Sequence, residues 1–236
     1  MLPARPWYLA IVAVWERAEG FEPLRAALLD ALGLVDMLPS HQPLLRRGAW
    51  HSTLFALLQI NSWDNHVQTG EEYSRALLQR LHREHDDIVP RLAQVLSPIE
   101  VEVSEVVCYD SATSVHVKAV SEALRTFRME AQDILLKPVV AVCHKENDTG
   151  YARGWNAEHG RKMLEPLLLD PSKNSGSRSY CSVARSTYPG DSPVLRWRRP
   201  LPPLTLIFRE LALISLDAAM TNPGPLEGAI LLRPPG

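Results

Sequence analysis

The sequence predicts an α+β fold on the strength of three kinds of local pattern. Residues 7–15 are a short apolar run rich in valine, isoleucine and aromatic residues, which favours a buried strand. Residues 21–33 then repeat leucine at a four-residue step, as an amphipathic helix does. The stretches 99–109 and 114–120 alternate apolar with polar residues and predict half-buried strands. Strands and helices are therefore mixed along the chain.

The first half of the chain continues this pattern with well-marked elements. The helix at 21–33 ends on Gly33, a typical helix stop, and a polar loop leads from it to an apolar strand that begins at His51. The segment 71–96 is the clearest helix, and Pro90 is expected to kink or divide it. Its apolar stripe consists of positions spaced by four and three, namely Leu81, His85, Ile88, Leu92 and Val95.

The second half is less regular. Residues 121–135 predict a helix that is capped by Ser121. Beyond it, the predicted elements are a strand at 138–144, a short helix at 155–169, a loop at 170–179, a strand from 180, a connector at 196–203 and late strands at 204–217 and 226–233.

Composition narrows the possible function classes. The 236 residues are 46% hydrophobic and 22% charged, which suits one large domain or two tightly packed lobes. The net charge of −2 gives no global basic field for nucleic acid or an anionic membrane, although a local basic site can still bind a small or single-stranded phosphate ligand. The three cysteines form no C-x-x-C pair, which argues against a structural zinc site and favours a reducing cytoplasm.

No membrane association is expected from the apolar segments. The run at 7–15 is too short for a membrane span, lacks a signal-peptide cleavage site and leads directly into Glu16 and Arg17. We therefore expect a cytoplasmic protein.

His51 and Thr53 are the first candidate site residues. Residues two apart in a strand share a face, so these two should project together while Ser52 and Leu54 face the other way. An imidazole can move a proton and a hydroxyl can donate to a phosphoryl oxygen, so the pair suits chemistry on a phosphate ester. The alternative is that His51 is an ordinary hydrogen-bonded histidine at the start of a strand.

A second pair with the same spacing occurs in "YCSVAR", where Tyr180 and Ser182 are followed by Arg185. The segments "HSTLF" and "YCSVA" align as a short internal repeat, and each follows basic residues. Arg185 lies at an odd offset from Tyr180 and would face the other side of the strand, where it is expected to support the second motif structurally.

With both motifs in view, the chain resembles the 2H phosphoesterase superfamily, which includes 2′,3′-cyclic phosphodiesterases and RNA 2′,5′-ligase-like proteins. "WHSTLFAL" is similar to the first His-x-Ser/Thr-x motif of the family, and "YCSVAR" is similar to the second at Ser182 and Arg185. The resemblance implies two pseudo-symmetric lobes, each an antiparallel sheet flanked by helices, with a central cleft. It implies a single two-lobed domain over residues 1–236, and the long spacing of the motifs (180 − 51 = 129) suggests an insertion around 140–178.

The resemblance also implies a metal-independent phosphodiesterase without a cofactor. Its partner would be a phosphodiester-containing small molecule, a cyclic phosphate, a nucleotide or an RNA end. In the family, one histidine activates water, the other protonates the leaving oxygen, and the hydroxyl residues hold the phosphate. Here Tyr180 replaces the second histidine. A phenol with an ordinary pKa near 10 can donate a proton but is a poor base. The implied roles are His51 as base, Tyr180 as acid or orienting group, and Thr53 and Ser182 as phosphate clamp.

Two alternatives stay open. Tyr180 can instead mark lost chemistry, which would make the protein a non-catalytic module that binds nucleotides or RNA ends. The chain can also be an unrelated α+β protein in which the H-x-T pattern arose by chance.

Three further groups are weaker candidates. His82 and His85 lie three apart near acidic residues and could hold a metal, although a solvated charged face explains them better. His116 could line a central groove or simply pack across strands. Trp197 lies among arginines in "RWRR", which suits base stacking and phosphate attraction but is also typical of a surface loop.

Overall fold

The computed structural model describes residues 8–33, 41–43, 50–59, 68–109, 112–148, 180–186, 194–216 and 229–234. The strands within these ranges are β1 (Tyr8–Val14), β2 (His41–Pro43), β3 (His51–Gln59), β4 (Ile99–Tyr109), β5 (Ala112–Val120), β6 (Tyr180–Ser186), β7 (Leu195–Phe208), β8 (Leu211–Leu216) and β9 (Ile230–Leu232). The helices are α1 (Phe21–Gly33), α2 (Gln68–Arg83), α3 (His85–Gln94) and α4 (Glu122–Asp148). None of these helices is long and apolar enough to span a bilayer.

The strands form two antiparallel sheets. The first sheet has the order β3-β1-β8-β9, and the second sheet has the order β2-β6-β5-β4-β7. Helices flank both sheets, since α1 packs against β7, α3 against β9, and α4 against both β3 and β4. The predicted α+β fold with antiparallel sheets and flanking helices is confirmed.

One hydrophobic cluster joins both sheets to all four helices, and we call it the shared core. Its members include Leu9, Ile11, Leu24, Leu77, Ile88, Val101, Val115, Phe127 and Leu206. The alternate residues of β1, Ala10, Val12 and Val14, are buried on the opposite face together with Ala212 and Ile214 of β8. Because β1 is buried on both faces, its sequence is continuously apolar rather than alternating.

The predicted strand at 138–144 is wrong, because these residues continue α4. Pro138 has no N–H, so the Ile134 carbonyl one turn earlier lacks its usual helical donor. A guanidinium from α2 replaces this donor: Arg80 Nη1 lies 2.6 Å from the Ile134 oxygen and 3.1 Å from the Leu135 oxygen. The helix therefore continues through its proline with the help of a contact that is remote in sequence.

The predicted helix at 71–96 is divided, but at Glu84 between α2 and α3 rather than at Pro90. Pro90 lies inside α3, where the carbonyl that loses its donor belongs to the exposed residue Asp86 and can be solvated. The break also removes His85 from the apolar stripe. Its side chain is 46% exposed, whereas the neighbouring stripe residue Ile88 is fully buried.

The predicted connector at 196–203 belongs to strand β7. Its three prolines, at 200, 202 and 203, are tolerated because β7 is the last strand in the described order of the second sheet, and because Pro202 and Pro203 lie in a register irregularity where no residue of β4 pairs with them. Ser121 does precede α4, but its Oγ accepts from the Glu100 N–H at 3.0 Å and so ties the start of the helix to β4. The predicted helix at 155–169 and loop at 170–179 lie outside the described residues, as does most of the expected insertion.

The chain crosses from the second sheet to the first at Arg209 and Glu210, between β7 and β8. Ion pairs hold this corner. Arg209 binds the Glu19 carboxylate with Nε at 2.5 Å and Nη2 at 3.3 Å. Glu210 accepts hydrogen bonds from Arg17 and, at 2.6 Å, from Arg233 beyond β9. The corner thereby connects the segment after β1 to the last described strand.

Gly20 is required by the geometry beside this corner. Its φ is +86°, and a Cβ at this position would lie 2.5 Å from the Thr205 carbonyl oxygen. The close approach follows from backbone hydrogen bonds in both directions between Glu19 and Ile207, at 3.0 and 3.1 Å. Only glycine meets both constraints without strain.

Replacing Glu210 with glutamine is expected to reduce stability in a pH-dependent way. Burial alone would raise the pKa of Glu210, but the hydrogen bonds from Arg17 and Arg233 outweigh it and hold the pKa below its usual value. A carboxylate with a lowered folded pKa contributes stability above the unfolded pKa, about 4.3, and this contribution is lost as pH falls through the folded pKa. We expect Glu210→Gln to lower the free energy of unfolding at neutral pH by about 1–3 kcal/mol.

Urea unfolding at neutral pH and at about pH 3.5, below the unfolded pKa, measures this effect. The variant should lose less stability than the wild type on acidification, while Glu22→Gln, at a largely exposed carboxylate of α1, should behave like the wild type. An equal acid dependence in Glu210→Gln and the wild type would contradict the assignment.

Candidate functional site

The first motif lies at the start of β3, with His51 and Thr53 on one face. Burial alternates along it: His51 is half-buried, Ser52 is buried, Thr53 is exposed and Leu54 is buried. His51 pairs with Val14 and Thr53 with Val12, and antiparallel partners share a face of the sheet. The two side chains therefore share a face, as the spacing predicted, and this face lies opposite the shared core.

Hydrogen bonds attach the core side of this motif to neighbouring parts of the fold. Trp15 Nε1 donates to Ser52 Oγ at 2.9 Å in a buried hydrogen bond. Because β3 is the first strand in the described order of its sheet, its outward carbonyls need other donors, and Arg128 Nε of α4 supplies one to Leu54 at 2.7 Å. Burial lowers the pKa of Arg128, but a guanidinium in a protein stays charged. These contacts hold the strand that carries His51 from behind.

The second motif lies in β6. The register sets Tyr180 opposite His116 and Ser182 opposite Ser114, and it sets Arg185 between Ala112 of β5 and Gln42 of β2. The side chains of β6 lie outside the described part of the structure. The expected approach of the Tyr180 side chain to His51 therefore stays a prediction.

The two motif strands are neighbours although they belong to different sheets. Cα atoms of β3 and β6 come within 8 Å of each other. An end strand of the first sheet therefore lies close to a strand of the second. The backbone thus brings near each other the two strands that carry the motifs.

A polar cluster lies beside β6 on the second sheet, and His116 is its only member that the sequence marks as a candidate. His116 Nδ1 is 3.8 Å from Glu105 Oε1, and Arg198 Nη1 is 4.0 Å from Glu105 Oε2. The Tyr109 ring stacks on the His116 imidazole with the centroids 6.2 Å apart. We call these four residues the His116 cluster.

The cluster lies on the face of the second sheet opposite the shared core. Val115, next to His116 in β5, belongs to the shared core, so the strand alternation turns His116 the other way. The alternation of apolar and polar residues in β4 and β5 is the sequence pattern that sets the face of His116. This pattern does not predict Glu105 as its partner, because a register irregularity between Val103 and Glu105 shifts the pairing there.

The structure gives less support to the other candidate residues. Among the described residues, no group of three or more histidine, cysteine, aspartate or glutamate side chains is arranged to hold a metal ion, and this includes the surroundings of His82 and His85. Trp197 is half-buried and packs against the shared core, and the stacking of a base on its indole stays a prediction. Arg198 pairs with Val107 and reaches Glu105 instead.

Comparison with known proteins gives little beyond this geometry. No protein-family model matches the chain, and no curated protein matches it. Among solved structures, the chain is similar to TT0787 of Thermus thermophilus, with 14% sequence identity and a TM-score of 0.46 over 97% of this chain and 100% of that one.

Proposed function

We propose that the protein is a metal-independent phosphodiesterase of the 2H type that acts on a cyclic phosphate, a nucleotide or an RNA-like phosphodiester. The observation that carries this proposal is the approach of β3 to β6, with His51 and Thr53 on the β3 face opposite the shared core. β3 and β6 each carry a polar pair at two-residue spacing, and the two strands are neighbours. A site that places one group on either side of a phosphate requires this arrangement.

The assigned roles follow from the chemistry of each side chain. Thr53 and Ser182 donate hydrogen bonds to the phosphoryl oxygens and hold the phosphorus between the two strands. His51 takes a proton from the attacking water as its oxygen bonds to phosphorus. The bond from phosphorus to the ribose oxygen breaks, and Tyr180 donates a proton to that oxygen or orients the phosphate. The products are a phosphomonoester and a free hydroxyl group, and solvent restores the protonation of both side chains.

The charge of the protein favours a small or terminal phosphodiester over a long nucleic acid as the substrate. The chain has a net charge of −2, so the attraction of phosphate must be local rather than global. Among the described residues, Arg198 of the His116 cluster lies on the face of the second sheet opposite the shared core and can supply part of this local attraction.

Turnover of a 2′,3′-cyclic nucleotide and of a short RNA with a 2′,3′-cyclic phosphate end tests the proposal. The assay contains EDTA, and product is followed by phosphorus NMR with a linear 3′-phosphomonoester as control substrate. We expect the cyclic substrates to open to monoesters while the control is unchanged. Binding without turnover would contradict the enzyme and support a non-catalytic nucleotide-binding module. The absence of both would contradict the proposed site.

A further inference from the structure

We propose that His116 supplies the second proton-transferring group of the site, in place of the histidine that the second motif lacks. This inference rests on the proposed phosphodiesterase function and extends it. His116 would then be a catalytic residue contributed by β5, one strand away from the motif strand β6.

The register of β5 and β6 places His116 at the required position. Tyr180 is the residue directly opposite His116. Directly opposite residues of an antiparallel pair stand on the same face of a sheet with their Cβ atoms about 4.5–5.5 Å apart. An imidazole at position 116 can therefore reach the same phosphate as a group at position 180. Ser182 and Ser114 are paired in the same way one step further along the strands.

The surroundings of His116 suit proton transfer. Its side chain is 16% exposed, so it lies in a sheltered but accessible position. The carboxylate of Glu105 lies 3.8 Å from Nδ1, beyond direct hydrogen-bonding distance but close enough to attract the protonated imidazole. Because Nδ1 faces Glu105, Nε2 is the nitrogen assigned to the proton transfer. The Tyr109 ring stacks beside the imidazole.

The remaining charged group of the cluster is Arg198, whose positive charge is opposite in sign to that of Glu105. Arg198 Nη1 lies 4.0 Å from the second carboxylate oxygen, on the β7 side of Glu105. Its side chain is 61% exposed, so it adds little stability there but can contribute positive potential for an anionic substrate. The cluster thus combines the His116 imidazole, the nearby Glu105 carboxylate and the Arg198 cation.

The reaction balances with His116 as the acid. As the bond from phosphorus to the ribose oxygen breaks, the proton on Nε2 moves to that oxygen and leaves a neutral imidazole. His51 holds the proton taken from water, and solvent returns each histidine to its starting form. Tyr180 then remains a neutral phenol that orients the phosphate by a hydrogen bond. No phenolate is formed, which matters because the ordinary phenol pKa is near 10.

Two substrates that differ in their leaving group test this assignment. One is a 2′,3′-cyclic nucleotide, whose ribose oxygen needs a proton, and the other is a p-nitrophenyl phosphodiester, whose leaving group departs without one. Four variants are compared with the wild type: His116→Gln, Glu105→Gln, Tyr180→Phe and His85→Gln, the last at an exposed histidine of α3. Thermal unfolding verifies that each variant is folded.

We expect His116→Gln to lower kcat for the cyclic nucleotide by about 10²- to 10⁴-fold, the usual contribution of a general acid. Its kcat for the p-nitrophenyl substrate should change little, and Glu105→Gln should show the same selectivity with a smaller loss. Tyr180→Phe should affect both substrates equally, and His85→Gln neither.

The outcomes separate this inference from the proposed function. If the wild type turns over the substrates and the p-nitrophenyl group rescues Tyr180→Phe rather than His116→Gln, the acid is Tyr180 and this inference is overturned alone. Equal losses on both substrates in His116→Gln would also overturn it, because they indicate a structural role. A wild type without turnover on either substrate overturns both proposals.

Discussion

Replacement of His51 by asparagine is expected to lower kcat for a 2′,3′-cyclic nucleotide by about 10²- to 10⁴-fold, because the attacking water loses its general base. His51 is half-buried at the start of β3, on the face opposite the shared core. Asparagine keeps a polar side chain but cannot accept the proton.

Thr53→Val is the informative comparison for His51→Asn. Thr53 lies on the same face but is assigned to binding, so its replacement should mainly raise KM, whereas His51→Asn should mainly lower kcat. His85→Asn, purified in parallel, controls for contaminating phosphodiesterases. Wild-type kcat in His51→Asn would exclude His51 as the base.

Replacement of Arg80 by methionine is expected to lower the free energy of unfolding by about 2–4 kcal/mol. Arg80 is 8% exposed and donates to two carbonyls of α4, those of Ile134 and Leu135, which are themselves buried. It also pairs with Glu84 at 3.0 Å. Methionine fills a similar volume but leaves the Ile134 carbonyl without a donor, since Pro138 has no N–H to offer.

A double-mutant cycle with Pro138→Ala isolates this effect. Alanine restores an N–H for the Ile134 carbonyl, so Arg80→Met should be less destabilising in the Pro138→Ala background by about 1 kcal/mol, one hydrogen bond. Denaturant unfolding of the four proteins gives the coupling, and Arg83→Met, at an exposed arginine of α2, serves as control. Strictly additive effects would show that Arg80 does not compensate for the proline.

The elements that the sequence predicts well are those whose burial is periodic and local. Helix α1 ends at Gly33 as expected, with Leu24 and Leu28 buried, and β4 spans 99–109 with buried and exposed residues alternating over its first half. The failures concern prolines, because their effect depends on remote partners. Pro138 is accommodated by Arg80 from another helix, and the prolines of β7 by the edge position of that strand and by its register irregularity opposite β4.

The site could be predicted as far as spacing determines a face. The two-residue step of His51 and Thr53 correctly placed both on one face of the strand, since strand alternation is a local property, but which face lies opposite the core became visible only in the structure. The neighbours of Tyr180 could not be derived in this way. Pairing between β5 and β6 joins residues more than sixty positions apart and is set by the whole sheet, so the position of His116 opposite Tyr180 became visible only with the register.

The first sheet is assembled from segments that are far apart in the chain, and this affects folding. Its central strand β1 pairs with β8, with Tyr8 opposite Leu216, while the second sheet uses mostly intervening segments. Such non-local pairing raises the contact order and slows folding. During synthesis, the sheet that contains β1 and β3 can be completed only after the residues of β8 have left the ribosome. The sheet that carries His51 is therefore completed well after β3 itself has been synthesised.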